Sequence, residues 1–318
     1  MCDPGKAAVI GCGAVGAAVA YTFLQMGIFS ELALLDLDSE RAQGEADDLC
    51  HAMPYTNNMN IYAGDYDDLH DASLVVVTAG ATQTPGQTRL DLAGKNRAIL
   101  RSILSLLQQT DFDGILLLVT NPVDVLTFDA QRILRAPRFR VLGTGTALDS
   151  ARLRFLLSRA FSADCRDVQA LVLGEHGDSS VPVTAGNGIA GIPIGEFFRL
   201  KGEYFPDRAL YDLLTRVRMS GYEILSRKGA TNWGVAATVG RIACAIARDE
   251  RAILPVSVCL RGEYGLDHVA LSVPCVLGRN GVERIIEVPL SPREEAMLSS
   301  SAQALREVID AENAMVKK

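Results

Sequence analysis

Lys6-Ala-Ala-Val-Ile10, running directly into Gly11-Cys12-Gly13-Ala14-Val15-Gly16, is the stretch that decides how this chain folds. An apolar run of strand length meets three glycines at Gly-x-Gly-x-x-Gly spacing, and a helical pattern continues to about Met26. A second apolar run, Glu31-Leu-Ala-Leu-Leu-Asp36, ends on an acid. Strand, glycine turn, helix and strand in that order predict a parallel βαβ unit that binds a dinucleotide. Gly11 suits a tight turn, Gly13 lets the backbone approach a pyrophosphate, and Gly16 lets the helix pack closely on the strand. The helix start at Ala14 and Val15 offers unpaired N–H groups to phosphate. Asp36, about twenty residues beyond Gly16, can accept both ribose hydroxyls and would repel a 2'-phosphate, so NAD is expected rather than NADP.

The same rhythm continues. A polar helix with Ser39 as N-cap is expected to about His51, and a short strand at Asn60 to Tyr62. Leu74 to Thr78 is an unbroken apolar run of the kind buried on both faces of a parallel sheet. It ends in Thr78-Ala79-Gly80, a small-residue turn suited to close approach of the cofactor. The polar loop Thr82 to Arg89, which contains Gln83, is a candidate lid before a helix from about Leu90 to Gln108. A strand from Gly114 to Thr120 delivers Asn121-Pro122 to the same edge, followed by a helix to Arg135 and a strand from Arg138 to Leu142. The count is six parallel strands alternating with helices.

Beyond Gly143-Thr144-Gly145 the pattern changes. Leu148-Asp149-Ser150-Ala151-Arg152 opens a helix, and the apolar run Ala170 to Leu173 reads as a buried strand that leads into Gly174-Glu175-His176-Gly177-Asp178. Long helices near residues 208–225 and 233–249 precede antiparallel-looking strands at 253–260, 268–276 and 281–288, and a capped helix begins at Ser291. The expected fold is α/β: a Rossmann-type doubly wound parallel sheet over residues 1–145, then an α+β substrate domain over 146–318. No linker separates the halves, so the cleft between them should hold the chemistry.

Composition narrows the function classes. A net charge of −7 with no basic cluster disfavours nucleic acid and anionic membrane as partners. The seven cysteines are scattered and never spaced Cys-x-x-Cys, which fits reduced packing residues in a cytoplasmic protein and offers no zinc site. Ala7 to Ile28 is uncharged, but its glycines and the acid at Asp3 fit a strand and buried helix better than a leader peptide.

With Gly11 to Gly16, Asp36, Asn121-Pro122, Asp149-Ser-Ala-Arg152 and Gly174-Glu-His-Gly-Asp178 in this order, the chain resembles the lactate/malate dehydrogenase family over essentially its whole length. Within it, the resemblance is greatest to the bacterial L-lactate dehydrogenases. The resemblance implies hydride transfer between NAD and C2 of a 2-keto or 2-hydroxy acid in the cytoplasm, at the fermentative end of glycolysis. It implies that His176 exchanges the proton, that Asp149 orients its ring, and that Arg152 clamps the substrate carboxylate. Arg89 would polarise the C2 carbonyl, Asn121 would hydrogen-bond the C2 oxygen, and Thr231 and Val235 would line the substrate and nicotinamide pocket.

The family distinguishes substrates at the position of Gln83, with glutamine in lactate dehydrogenases and arginine in lactate-like malate dehydrogenases. A neutral glutamine leaves the second carboxylate of oxaloacetate unpaired, so reduction of pyruvate to L-lactate is expected. The alternatives are malate dehydrogenase, a broader L-2-hydroxyacid dehydrogenase and, from another class, a non-catalytic NAD-binding sensor, which would have no use for His176, Asp149, Arg152 and Arg89 together. Activation of relatives by fructose 1,6-bisphosphate requires an arginine, here Arg154, and a histidine where this chain has Gln169. Half of that cationic site is missing. The resemblance implies a homotetramer, with a dimer left open.

Overall fold

A computed structural model describes residues 5–81, 89–200, 202 and 206–315. The first half runs β1 (Lys6–Ile10), α1 (Ala14–Met26), β2 (Glu31–Leu35), α2 (Ser39–Ala52), β3 (Asn60–Ala63), β4 (Leu74–Val77), α3 (Arg89–Leu107), β5 (Ile115–Leu118), α4 (Val123–Leu134) and β6 (Val141–Gly143). The second continues with α5 (Ala147–Phe161), β7 (Val168–Gln169), β8 (Val172–Leu173), β9 (Val181–Pro182), β10 (Gly188–Ile189), β11 (Ile192–Pro193) and α6 (Ile194–Leu200). It closes with α7 (Asp207–Lys228), α8 (Trp233–Ala247), β12 (Ala252–Arg261), β13 (Asp267–Gly278), β14 (Gly281–Ile285) and α9 (Pro292–Met315).

Six strands pair in parallel in the order β3-β2-β1-β4-β5-β6, the doubly wound arrangement. Period-two alternation explains why their sequences read as unbroken apolar runs. On β4, Leu74 and Val76 enter the core shared with Phe23 and Leu24 of α1, whereas Val75 and Val77 enter the core shared with Leu100 and Leu104 of α3. Each fully buried Leu or Val contributes about 1.5–3 kcal/mol. A Cβ at Gly16 would lie 1.8 Å from the Gly11 carbonyl oxygen, so only glycine lets α1 start directly against the end of β1.

The long antiparallel strands β12, β13 and β14 do not form a sheet of their own, whereas β7, β10 and β11, and β8 with β9, make two small separate sheets. The long strands extend the parallel sheet, in the order β14-β13-β12, joined to β6 where Ser257 faces Gly143. Helix α8 packs on α1, so the two halves interlock on one continuous sheet.

Three local expectations are corrected. Asp38, not Ser39, caps α2, its carboxylate accepting the Arg41 N–H. Arg138–Arg140 forms a 3-10 turn after Pro137, fastened by Arg138 to the Cys259 carbonyl and by Arg140 to Asp113, so β6 begins at Val141. Of the run Ala170 to Leu173 only Val172–Leu173 is strand. The Leu171 N–H donates to Asn187 Oδ1 and the Val172 N–H to Ser150 Oγ, which spends on side chains the donors a longer ladder needs. Helix α9 starts on a capping box: the Ser291 N–H donates to Glu294 Oε2 at 2.7 Å, and Glu294 also accepts from the Thr184 N–H.

Candidate active site

The segment that carries His176 is fastened by its backbone before any side chain acts. Gly174 exchanges two 3.0 Å hydrogen bonds with Ser272 of β13. Its φ of +86° lies in the left-handed region, and a Cβ there would meet Ser301 Oγ at 2.9 Å. The Glu175 N–H donates to Ser301 Oγ at 2.9 Å, and the His176 N–H donates to Asp124 Oδ2 at 2.8 Å.

The imidazole then meets the first turn of α5. His176 Nδ1 lies 2.6 Å from Asp149 Oδ2, and Asp149 Oδ1 accepts from Arg152 Nη1 at 3.3 Å. With Nδ1 committed to the carboxylate, Nε2 is the ring nitrogen left to exchange a proton with another molecule. The charge of Asp149 raises the His176 pKa against the opposing effect of burial, with the Asp149 hydrogen bond and the charge of Asp124 adding to the rise. Burial alone would raise Asp149, but the His176 charge and hydrogen bond, and then Arg152, bring it below the usual carboxylate range. The arrangement favours an imidazolium–carboxylate pair.

A cavity of about 310 Å³ opens beside this pair. Its walls include Asn121, Asp149, Arg152, His176, Thr231 and Val235, six of the residues singled out in the sequence. Arg152 is mostly buried there, with 17% of its side chain exposed, unlike a solvated helical arginine. Asn121 comes from the turn between β5 and α4, Asp149 and Arg152 from α5, and Thr231 and Val235 from the start of α8. The sheet edge, α5 and α8 therefore converge on one small cavity that carries several charged and polar side chains. A larger cleft of about 980 Å³ lies elsewhere, among α4, the ends of β12 and β13, and α9.

Gln83 lies outside the described residues. Arg89 is the first residue of α3, and its side chain also lies outside what is described.

The other candidates line the carboxyl ends of β1, β2 and β4. A Cβ on Gly13 would meet nothing within 4 Å, which leaves open space over the glycine turn. Helix α1 has no side-chain cap and no acid in its first turn, so the N–H groups of Ala14 and Val15 are available to a pyrophosphate, the helical ladder beginning with the Ala17 N–H to the Gly13 carbonyl. Asp36 sits against this turn, its Oδ2 accepting the Cys12 N–H at 2.6 Å and its Oδ1 the Asp38 N–H at 3.0 Å. Thr78 Oγ donates to the Gly11 carbonyl at 2.6 Å, tying the end of β4 to the glycine turn beside Ala79 and Gly80. These features fit NAD.

Three polar residues that the sequence reading passed over belong to this region. Arg218 of α7 lines the cavity and donates through Nε to Ser180 Oγ at 3.2 Å. Burial lowers its pKa, opposed by the charges of Asp178, Glu175 and Asp149. Asn96 of α3 donates to the Asn121 carbonyl and accepts the Ala81 N–H, both at 2.7 Å, and so holds Asn121 in place. Asp124 of α4 is the acceptor behind His176. Each sits inside a helical pattern, where a single polar residue gives no local signal of its partners.

Comparison with known proteins agrees with this geometry. Residues 5–143 match the lactate/malate dehydrogenase NAD binding domain, and residues 146–316 match the lactate/malate dehydrogenase alpha/beta C-terminal domain. The chain is 45% identical over 306 residues to an L-lactate dehydrogenase of Priestia megaterium, covering 96% of each chain. It is 43% identical to an L-lactate dehydrogenase of Lactobacillus helveticus, covering 96% of this chain and 94% of that one. The crystal structure of a minor L-lactate dehydrogenase from Enterococcus mundtii in its ligands-bound form superposes with a TM-score of 0.93 at 39% identity, covering 96% of this chain and 98% of that one. A fold, a cavity that gathers the His176–Asp149 pair and Arg152, and two family matches that together span nearly the whole sequence thus agree: this chain belongs to the lactate/malate dehydrogenase family.

Proposed function

We propose that this protein is an NAD-dependent L-lactate dehydrogenase that reversibly reduces pyruvate to L-lactate. The observation that carries this reading is the His176–Asp149 pair opening onto the same small cavity as Arg152, at 2.6 Å and in a partly buried setting. The L-lactate dehydrogenases among its relatives support it.

NAD, when bound along the carboxyl ends of β1, β2 and β4, supplies or accepts a hydride. The residues of the chain do the rest. His176 donates its Nε2 proton to the keto oxygen of pyruvate as that oxygen gains negative charge, and takes the proton back in lactate oxidation. Asp149 fixes the ring and stabilises its charged form. Arg152 presents a planar pair of donors to the substrate carboxylate and so sets the orientation of C2. Asn121 hydrogen-bonds the C2 oxygen, Arg89 polarises it, and Thr231 and Val235 shape the wall. Gly11, Gly13, Ala14, Val15, Gly16, Asp36, Thr78, Ala79 and Gly80 hold the dinucleotide.

Gln83 sets the preference for pyruvate over oxaloacetate. An unpaired second carboxylate in a closed site costs several kcal/mol, and a glutamine cannot neutralise it. In this reading residues 1–145 bind the dinucleotide, residues 146–318 carry most of the substrate site, and the protein works as a cytoplasmic homotetramer.

The test is kcat/KM for pyruvate beside kcat/KM for oxaloacetate, each with NADH. A clear preference for pyruvate is expected; equal or better use of oxaloacetate would overturn the assignment.

A further inference from the structure

We propose that the cleft of about 980 Å³ between α4, α9 and the facing ends of β12 and β13 is a second ligand site, and that it takes a nucleoside monophosphate. The inference goes beyond the reaction at His176 and does not depend on it.

The cleft joins an apolar floor to a buried acceptor. Phe128, Gln131 and Arg132 stand at helical spacing near the end of α4 and so share one face. Phe128, Leu260 and Ile309 make the floor, each at most 8% exposed. Gln131 beside them is as buried as Phe128. Its Nε2 donates to the Ala136 carbonyl at 2.7 Å, but its Oε1 meets no donor among the described residues. A buried acceptor left without a donor is costly, and the great majority of such groups in folded proteins are paired. Gln131 therefore has one hydrogen bond to offer to whatever fills the cleft.

The rim is charged. Arg132, Arg261 and Arg306 stand there against Asp267 and Asp310, a local excess of positive charge in a chain whose net charge is −7. Arg306 is engaged already, its Nη2 donating to the Asp267 carbonyl at 2.6 Å. Arg132 lies over the Phe128 ring, with Cζ 5.5 Å from the ring centroid. Among the described residues neither Arg132 nor Arg261 has a carboxylate within ion-pair distance. Both guanidinium groups can thus present paired donors to a phosphate.

The ligand must supply a flat apolar body for the floor, an N–H or O–H donor for Gln131 Oε1 and an anion for the arginines. A fatty acid meets the floor and the arginines but brings no donor to Gln131. A sugar phosphate brings donors but lays hydroxyls on the apolar floor. A nucleoside monophosphate meets all three needs, with its base inside and its phosphate at the rim, and the volume has room for it.

The cleft is separate from the sites already described. Gln131 lies roughly 12 Å along the axis of α4 from Val123, which follows Asn121-Pro122 at the catalytic cavity. Strand β12 runs antiparallel to β6, which puts Arg261 at the amino ends of the parallel strands, opposite the glycine turn. Occupancy of the cleft therefore does not compete with NAD or pyruvate.

Isothermal titration calorimetry of the full-length protein saturated with NADH tests this, since NADH fills the dinucleotide site. The probe is AMP, and one AMP per chain is expected to bind. Inorganic phosphate and adenosine, each titrated alone, should bind at least roughly tenfold more weakly than AMP. Replacing both exposed arginines, Arg132→Ala with Arg261→Ala, should weaken AMP roughly tenfold or more, the scale of charge-assisted hydrogen bonds. Gln131→Leu should weaken AMP several-fold and leave phosphate unchanged; the arginine variant carries the test if Gln131→Leu does not fold. No AMP binding at millimolar concentration with NADH present would overturn the proposal, as would an unchanged AMP affinity in the arginine variant. Phosphate or adenosine binding as tightly as AMP would overturn it too, because then only one end of the ligand is recognised. The readout is binding, so a failure to reduce pyruvate would count against the proposed reaction and not against this site.

Discussion

His176 Nδ1 and Asp149 Oδ2 lie 2.6 Å apart, on two segments of chain separated by 27 positions and brought together by α5 and the loop after β8. The carboxylate orients the ring and stabilises its charged form, so Asp149→Asn should damage both. We expect kcat/KM for pyruvate to fall by about 10² or more, the scale of general acid catalysis, with NADH affinity retained. Steady-state kinetics beside NADH fluorescence titration checks this.

The pKa shifts of the pair set a direction for pH dependence. His176 is raised, so the imidazolium needed for pyruvate reduction persists to higher pH and is lost as pH rises through the raised value. Lactate oxidation needs the neutral ring and should gain over the same interval. For stability the signs are these: the His176 contribution is full below its unfolded value and lost as pH rises through the folded one. That of Asp149, which is lowered, is present above its unfolded value and lost as pH falls through the folded one. Forward and reverse kcat/KM profiles should cross over with opposite slopes, and parallel profiles would contradict the assignment.

Arg152 is asked to present two parallel donors, which lysine cannot do. Arg152→Lys should raise the KM for pyruvate by about 10²-fold or more, a loss on the scale of a truncated charge pair, while NADH binding stays unchanged. Equal losses in pyruvate and NADH binding would place Arg152 outside the substrate site.

Gly13 and Gly16 separate binding from folding. A Cβ at Gly13 meets open space, whereas one at Gly16 strikes the Gly11 carbonyl. Gly13→Val should therefore keep its thermal midpoint and lose NADH affinity, and Gly16→Val should lose stability as well. Calorimetry with and without NADH distinguishes the two.

Arg154 donates through Nε to the Val168 carbonyl at 2.7 Å, and Gln169 is exposed and neutral. Fructose 1,6-bisphosphate should therefore leave the apparent KM for pyruvate unchanged. A velocity titration at low pyruvate measures it, and a marked fall in KM would show that the sugar phosphate has found its cations elsewhere.

Much of this was legible in the sequence because the deciding signals are local. Strands buried on both faces, such as Leu74 to Val77, announce themselves as apolar runs, and the glycine turn needs residues that few other structures need. Gly11 to Gly16, Asp36, Thr78 and Asn121 were legible because each closes or follows such an element at the same sheet edge. What stayed hidden depends on distant partners. No local pattern says that the strand beginning at Ala252 will pair with β6 rather than with a sheet of its own. Nor could the sequence show that the backbone donors of Leu171 and Val172 go to Asn187 and Ser150, which shortens the strand. Asp124, Asn96 and Arg218 are single polar residues in helices, and their importance is visible only once their hydrogen-bond partners are.

The most direct measurement is pyruvate reduction by His176→Gln beside NADH binding by the same variant. Glutamine keeps a polar side chain of similar reach and cannot become a cation. Turnover is expected to fall by about 10³-fold or more while the dissociation constant for NADH stays within a few-fold of wild type. A variant that reduces pyruvate within tenfold of the wild-type rate would contradict the account at its centre.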